Sequence, residues 1–221
     1  MRGTGQNIER PVRVTAGTVE LDGDLTLPPE AEGIVIFAHG SGSSRFSPRN
    51  RYVAEELNGA GLGTLLIDLL TPAEEAVDLR TAHLRFDISM LADRLVAATD
   101  WLLDQSDTRD LAIGYFGAST GGGAALVAAA KRPDEISAVV SRGGRPDLAA
   151  DALPVVRAPT LLIVGGYDDV VIELNEQARA QMKATVKLVI VPGASHLFEE
   201  PGKLEEVAEL ARDWFKQYFT S

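Results

Sequence analysis

The stretch LAIGYFGASTGGGAAL, residues 111–126, decides the fold of this chain. Its first six residues form a short apolar run of the kind found in buried strands, and a Gly-Ala-Ser-Thr-Gly turn follows directly. The residues after that turn resemble the start of a helix. The pattern therefore predicts a strand over 111–116, a tight turn at Ser119 and a helix that begins near Gly121.

Five other apolar runs resemble this strand and are bounded by Gly, Pro or Asp; they span residues 33–37, 64–68, 136–141, 160–164 and 187–191. Segments with helical periodicity alternate with them, most clearly at residues 87–105 and after Pro201, with shorter helices expected after Pro48 and Gly121. Such alternation predicts an α/β fold with a mostly parallel sheet, helices on both faces, and ligands at the carboxyl ends of the strands.

Residues 12–27 differ from the later runs because apolar and polar residues alternate. Interruptions at Gly17 and at Asp22-Gly23 predict antiparallel strands with one solvated face. We expect residues 1–10 to form a loose tail. The connection at residues 69–86 is weakly patterned, which leaves two interpretations open: a mobile flap, or a surface loop that leads into the next helix.

Length and composition limit the number of domains, the kinds of site and the partners that this chain can have. The 221 residues, 45% apolar and 24% charged, fit one soluble globular domain spanning 1–221. The absence of cysteine excludes disulfides, thiolate metal sites and a cysteine nucleophile, and the net charge of −11 disfavours nucleic acid and anionic membranes as partners. No apolar run is long enough for a membrane span, so a cytoplasmic location is expected.

The turn at Ser119 has the G-x-S-x-G pattern between a strand and a helix, which is the context of a nucleophilic serine. Small flanking residues are needed because the chain reverses tightly there. The helix that follows directs backbone N–H groups and its positive dipole end towards developing negative charge. The N–H of Thr120 is therefore one expected oxyanion donor.

A serine hydroxyl needs a base to accept its proton and an acid to orient that base. His196 follows the last predicted strand, which is the expected place for the base. Two carboxylates follow the strand at 160–164; Asp168 is preferred as the acid, with Asp169 as the alternative. The sequence thus predicts a triad of Ser119, Asp168 and His196.

The loop after the strand at 33–37 is expected to supply the second oxyanion donor, the N–H of Ser41. Glycines on both sides of Ser41 let the backbone approach a substrate carbonyl. His39, in the same loop, is predicted to hold the loop in place rather than to act as the base.

These motifs resemble the α/β-hydrolase superfamily and, within it, the dienelactone hydrolase-related esterases. The resemblance runs from the His39-Gly40 loop through Gly117 to the loop that ends at His196. It implies an α/β-hydrolase fold and carries the triad over to Ser119, Asp168 and His196. Dienelactone hydrolases have a cysteine where this chain has Ser119, and the serine members of the group resemble general carboxylesterases.

The expected function is hydrolysis of small or short-chain carboxylic esters through an acyl-enzyme, without a metal or organic cofactor. The segment between the strands at 136–141 and 160–164 is too short for a cap domain, so the site should be open. Lactone or thioester hydrolysis and acyl transfer use the same triad and stay open as alternatives. A non-catalytic binding module is the alternative from a different class, and the oligomeric state is left open.

Arginines cluster near the expected site, at Arg45, Arg49, Arg51, Arg142 and Arg145. In a chain of net charge −11 such a cluster suggests a contact with a substrate carboxylate, for which Arg45, Arg142 and Arg145 are the candidates. The other interpretation, which we favour, is that these arginines pair with neighbouring carboxylates and fix loops.

Overall fold

An eight-stranded sheet forms the centre of the computed structural model, which describes residues 6–220. The strands are β1 (Ile8–Ala16), β2 (Val19–Leu27), β3 (Gly33–Ala38), β4 (Gly63–Ile67), β5 (Ala112–Ala118), β6 (Ile136–Arg142), β7 (Thr160–Gly165) and β8 (Val186–Val191). Their order is β1-β2-β4-β3-β5-β6-β7-β8. Strands β3 to β8 are parallel, and β1 and β2 add an antiparallel edge. The expected α/β-hydrolase architecture is confirmed.

The helices are α1 (Pro48–Gly59), α2 (Pro72–Thr81), α3 (Ile88–Asp104), α4 (Thr120–Lys131), α5 (Asp169–Gln181) and α6 (Lys203–Phe219). Apolar side chains of α1 and α6 pack on one face of the sheet, and those of α3 and α4 pack on the other. The parallel strands are therefore covered on both sides, which explains why their sequences are continuously apolar.

Two predicted boundaries differ from the structure. Residues 8–10, expected in a loose tail, belong to β1, where Ile8 pairs with Leu27; residues 1–5 of that tail lie outside the described residues. The interruption expected at Asp22-Gly23 is absent because β2 continues through both residues. A side chain at Gly23 would lie 3.1 Å from Val12, so this glycine serves close packing between strands.

The connection at residues 69–86, expected to be either a mobile flap or a surface loop, contains α2 and a short 3-10 helix, Leu84–Phe86. Thr71 caps α2 in a capping box with Glu74, and Pro72 occupies the first turn. Glu74 also accepts hydrogen bonds of 2.5 and 2.7 Å from the buried Arg94 of α3. This ion pair ties α2 to the body of the protein.

Between β6 and β7 the chain forms only a 3-10 segment, Pro146–Val155, so that connection holds no cap domain. Across residues 6–220, every helix falls short of the length and apolar character that a membrane span requires.

Candidate active site

Ser119 occupies the strained turn between β5 and α4. Its backbone has φ 52° and ψ −121°, a conformation that costs an L-residue energy and persists only when its surroundings impose it. Here the N–H of Ser119 donates to the carbonyl of Arg142 at 3.2 Å, and the carbonyl of Ser119 accepts from Gly122 and Arg145 at 3.0 Å each. The serine hydroxyl forms no cap on α4, which leaves it available for chemistry.

The glycines of the motif are required by contact distances. A Cβ at Gly117 would lie 2.5 Å from the carbonyl oxygen of Gly121, and a Cβ at Gly121 would lie 2.2 Å from the carbonyl oxygen of Ala38. Neither distance is possible for real atoms. The glycines therefore allow α4 to begin directly against the ends of β3 and β5, where Ser119 is placed.

Asp168 and His196 meet at the ends of β7 and β8. Nδ1 of His196 and a carboxylate oxygen of Asp168 are 2.5 Å apart. A carboxylate only accepts, so Nδ1 carries the proton and Nε2 is the basic nitrogen. Asp169 instead lies in the first turn of α5 and is exposed. Asp168, and not Asp169, is therefore the carboxylate that contacts the imidazole of His196.

Ser119 and His196 line the same cavity, at the carboxyl edge of the sheet. No hydrogen bond joins their side chains in the part of the chain that the structure describes. Such bonds are often long in unliganded enzymes and tighten when substrate binds. Gly143, whose φ is +51°, lies next to the imidazole of His196. A Cβ added at Gly143 would be 3.4 Å from the ring.

The two expected oxyanion donors lie in the loop after β3 and at the start of α4. The hydroxyls of Ser41 and Thr120 are 3.4 Å apart, and both side chains belong to the wall of a second cavity that borders α2. Within residues 6–220, neither backbone N–H has a hydrogen-bond partner in the protein. The geometry leaves both donors free for a ligand oxygen.

His39 holds the Ser41 loop in place, as predicted. Its Nε2 accepts the backbone N–H of Leu69 at 2.9 Å, and Nδ1 lies 3.0 Å from the carbonyl of Gly40. Burial lowers the pKa of the imidazole, so it stays neutral and keeps Nε2 as an acceptor. His39 thereby joins the end of β3 to the segment after β4.

Four of the five clustered arginines are paired, as the favoured interpretation predicts. Arg45 contacts Asp68 and Asp24, Arg51 lies 3.6 Å from Asp24, Arg49 lies 3.1 Å from Glu199, and Arg145 contacts both oxygens of Asp147. The hypothesis that Arg45 or Arg145 binds a substrate carboxylate is not favoured by this geometry.

Arg142 differs from the others because it has no carboxylate partner within residues 6–220. It is buried at the end of β6 and lines the cavity of Ser119. Asn50, in the first turn of α1, lies 3.4 Å from its Nη2 and lines the same cavity. Asn50 was not identified from the sequence. Its position just after Pro48, in the helix that follows the Ser41 loop, could have indicated that it lies near the site.

Comparisons with known proteins identify the family of this chain. The profile of the dienelactone hydrolase family matches residues 21–220. The chain belongs to the dienelactone hydrolase family. A crystal structure of a dienelactone hydrolase from Anabaena variabilis is 66% identical, covers 97% of this chain and 99% of its own, and superimposes with a TM-score of 0.95.

Two further proteins resemble this chain, one in fold and one in sequence. Est1E from Butyrivibrio proteoclasticus, solved with ferulic acid bound, is 19% identical over 95% of this chain and 100% of its own, with a TM-score of 0.78, which is a likeness of fold alone. A Mycobacterium tuberculosis protein named "Putative phosphoribosyl transferase" is 61% identical over 94% of this chain but only 46% of its own length. The chain therefore spans about half of this curated relative.

Proposed function

We propose that this protein is a serine hydrolase that cleaves carboxylic esters of small or short-chain acyl groups through an acyl-enzyme. The observation that carries the proposal is the 2.5 Å contact between Asp168 and His196 beside the cavity that Ser119 lines. A nucleophile, an acid and a base in this chain order, on this fold, support acyl transfer.

In the proposed reaction, Nε2 of His196 accepts the proton of the Ser119 hydroxyl while the oxygen attacks the ester carbonyl. The N–H groups of Ser41 and Thr120 bind the resulting oxyanion. The imidazolium then gives its proton to the departing alcohol, and an ester of Ser119 remains. Water, deprotonated by the same imidazole, releases the acid and restores the serine. No cofactor is needed for these steps.

The proposed preference for small substrates rests on the open site. Only the 3-10 segment Pro146–Val155 occupies the position in which a cap domain would stand. The cavity around Ser119 is lined mostly by polar side chains, among them Ser47, Asn50 and Arg142, and its apolar side chains are Ala118 and Leu197, which supports a preference for short acyl groups.

The same triad would act on lactones and thioesters, and an alcohol in place of water would turn hydrolysis into acyl transfer. The phosphoribosyl transferase name belongs to a relative about twice as long as the matched region. Within the described chain, the contacts around Ser119 support acyl chemistry, and no observed contact favours transfer of a phosphoribosyl group to this site.

The direct test combines turnover with covalent labelling. Wild-type protein should hydrolyse 4-nitrophenyl acetate and be labelled once by a fluorophosphonate, with the label on Ser119 in peptide mass spectra. Ser119→Ala should lose the label and about 1,000-fold or more of kcat. Labelling at another residue, or turnover retained by Ser119→Ala with an unchanged circular dichroism spectrum, would contradict the proposal.

A further inference from the structure

A buried amide of α5 contacts the loop that holds the candidate nucleophile. Asn175 is fully buried, and its Nδ2 donates to two backbone carbonyls, that of Val171 at 2.7 Å and that of Gly144 at 3.1 Å. Only the amide nitrogen suits this position, because an amide oxygen would face both carbonyl oxygens without a proton. The bond to Val171 stays within α5, whereas the bond to Gly144 joins α5 to the segment that follows β6.

That segment, residues 142–145, is called the β6 loop here, and it holds the backbone of Ser119 on both sides. The carbonyl of Arg142 accepts the N–H of Ser119 at 3.2 Å, and the N–H of Arg145 donates to the carbonyl of Ser119 at 3.0 Å. These two bonds support the strained conformation of the serine, whose φ is 52°.

The β6 loop also lies against the imidazole and against the start of α4. A Cβ added at Gly143 would be 3.4 Å from Nδ1 of His196 and 3.2 Å from its carbonyl oxygen. A Cβ added at Gly122, in the first turn of α4, would be 3.0 Å from Cα of Gly144. A shift of the β6 loop would therefore displace both the serine turn and the backbone beside the imidazole.

Helix α5 begins at the acid of the candidate triad. Asp168 is the N-cap residue of α5, so the position of this helix sets the position of the carboxylate. Asn175 lies about two helical turns further along the same helix. Its bond to the β6 loop thus links the helix that carries Asp168 to the loop that contacts Ser119 and His196.

We propose that Asn175 is a positioning residue, which couples α5 to the β6 loop and thereby keeps the acid aligned with the nucleophile and the base. This inference rests on the proposed function and adds to it a side chain that acts through the β6 loop rather than on the substrate. Alignment of this kind matters for rate, because a displacement of about 1 Å at a reacting group can cost about 100-fold.

A role confined to the stability of α5 would need only the bond to Val171. Hydroxyl side chains in helices donate to the carbonyl four residues earlier, so a serine at position 175 can keep that bond. Its side chain is too short to reach Gly144 as well. Asn175→Ser therefore removes the link to the β6 loop while it preserves the bond within the helix.

The test measures kcat and KM for 4-nitrophenyl acetate, together with the unfolding temperature, in wild type, Asn175→Ser and Asn175→Ala. Both variants should lose about 10- to 100-fold of kcat, with KM within about threefold of wild type, because alignment and not substrate binding is impaired. Asn175→Ala, which also loses the bond to Val171, should be the less stable. If it does not fold, Asn175→Ser alone decides.

A second measurement follows the triad without substrate. The Nδ1 proton of His196, which lies in the 2.5 Å contact with Asp168, gives a downfield proton NMR signal when that bond is short. In Asn175→Ser this signal should move upfield or broaden, because α5 and its N-cap carboxylate are no longer tied to the β6 loop.

Two controls separate positioning from stability. Gln177→Ala removes an amide from the exposed face of the same helix, where Gln177 bonds Glu173, and should match wild type in kcat. Thr99→Val removes the buried 2.6 Å hydrogen bond to Tyr115, between α3 and β5. It should lower the unfolding temperature but leave kcat within about threefold and the Nδ1 signal in place.

Wild-type kcat and an unmoved Nδ1 signal in Asn175→Ser would overturn the inference about Asn175 and leave the proposed esterase function standing. A loss of kcat no greater than that of Thr99→Val, at an equal fall in unfolding temperature, would overturn it too. Failure of wild-type protein to hydrolyse any ester would instead contradict the proposed function, and the Nδ1 signal would still test the role of Asn175.

Discussion

The imidazole of His196 donates from Nδ1 to the carboxylate of Asp168 at 2.5 Å, although Asp169 is the next residue in the chain. The separation of roles follows from local structure, because Asp169 starts the α5 helix and is directed to solvent. The contact fixes the tautomer in which Nε2 is free to act as a base.

Asp168→Asn should lower kcat for 4-nitrophenyl acetate by about 1,000- to 10,000-fold, because an amide stabilises the wrong tautomer of His196 and does not support the imidazolium. Asp169→Asn, which removes the same charge one residue away, is the control and should stay within about threefold of wild type. The reverse ranking of the two variants would show that the acid had been assigned to the wrong residue.

His39→Leu should lower both stability and turnover. Without the imidazole, the buried N–H of Leu69 loses its acceptor, which costs about 1–3 kcal/mol, and the Ser41 loop loses its connection to the segment after β4. His39→Gln can place an oxygen near the former Nε2 and should recover much of both properties. Urea unfolding and kcat measured on the two variants test this; equal behaviour of Leu and Gln would argue against an acceptor role.

Ser119→Gly should be more stable than Ser119→Ala by about 1 kcal/mol, although both lack the nucleophile. Glycine adopts the positive φ of 52° without the steric cost that any Cβ incurs, and this relief exceeds the entropy that glycine loses on folding. Chemical denaturation of both variants at one pH gives the difference. A glycine variant that is less stable than the alanine variant would mean that the turn stores little strain.

Glu74→Gln should destabilise the protein by about 2 kcal/mol at pH 7, because it leaves the buried guanidinium of Arg94 without its carboxylate. Hydrogen bonds from Arg94 hold the pKa of Glu74 at about 2, below its ordinary 4.5. The contribution of this carboxylate is therefore complete above about pH 4.5 and is lost as the pH falls towards 2. Urea unfolding of both proteins should show their difference shrinking across that range; a constant difference would exclude this ionisation as its cause.

The apolar runs and the helical segments between them were enough to predict the parallel sheet, because these patterns report burial directly. Helix α2, in the connection at residues 69–86, was not predicted. Thr71, Pro72 and Glu74 form a readable helix start, but α2 has little apolar periodicity and is held by the ion pair to Arg94.

The carboxylate partners of the arginines could not be predicted from the sequence. Arg45 and Arg142 both follow or end a central strand, and both are candidates for anion binding by position alone. Their difference depends on partners distant in the chain: Arg45 meets Asp68, whereas Arg142 meets no carboxylate among the described residues. Such pairs form between residues that are distant in the chain and depend on tertiary packing, so the local sequence does not predict them.

The contacts at Gly117 and Gly121 also bear on how this enzyme family could diversify. A side chain added at Gly117 would overlap backbone atoms of α4, and one added at Gly121 would overlap the end of β3, so mutation has almost no freedom at the elbow itself. New selectivity would instead have to arise in the residues around the elbow, such as Leu197, which lines the same cavity and is exposed. The rigidity of the elbow thus confines evolutionary change to the periphery of the pocket.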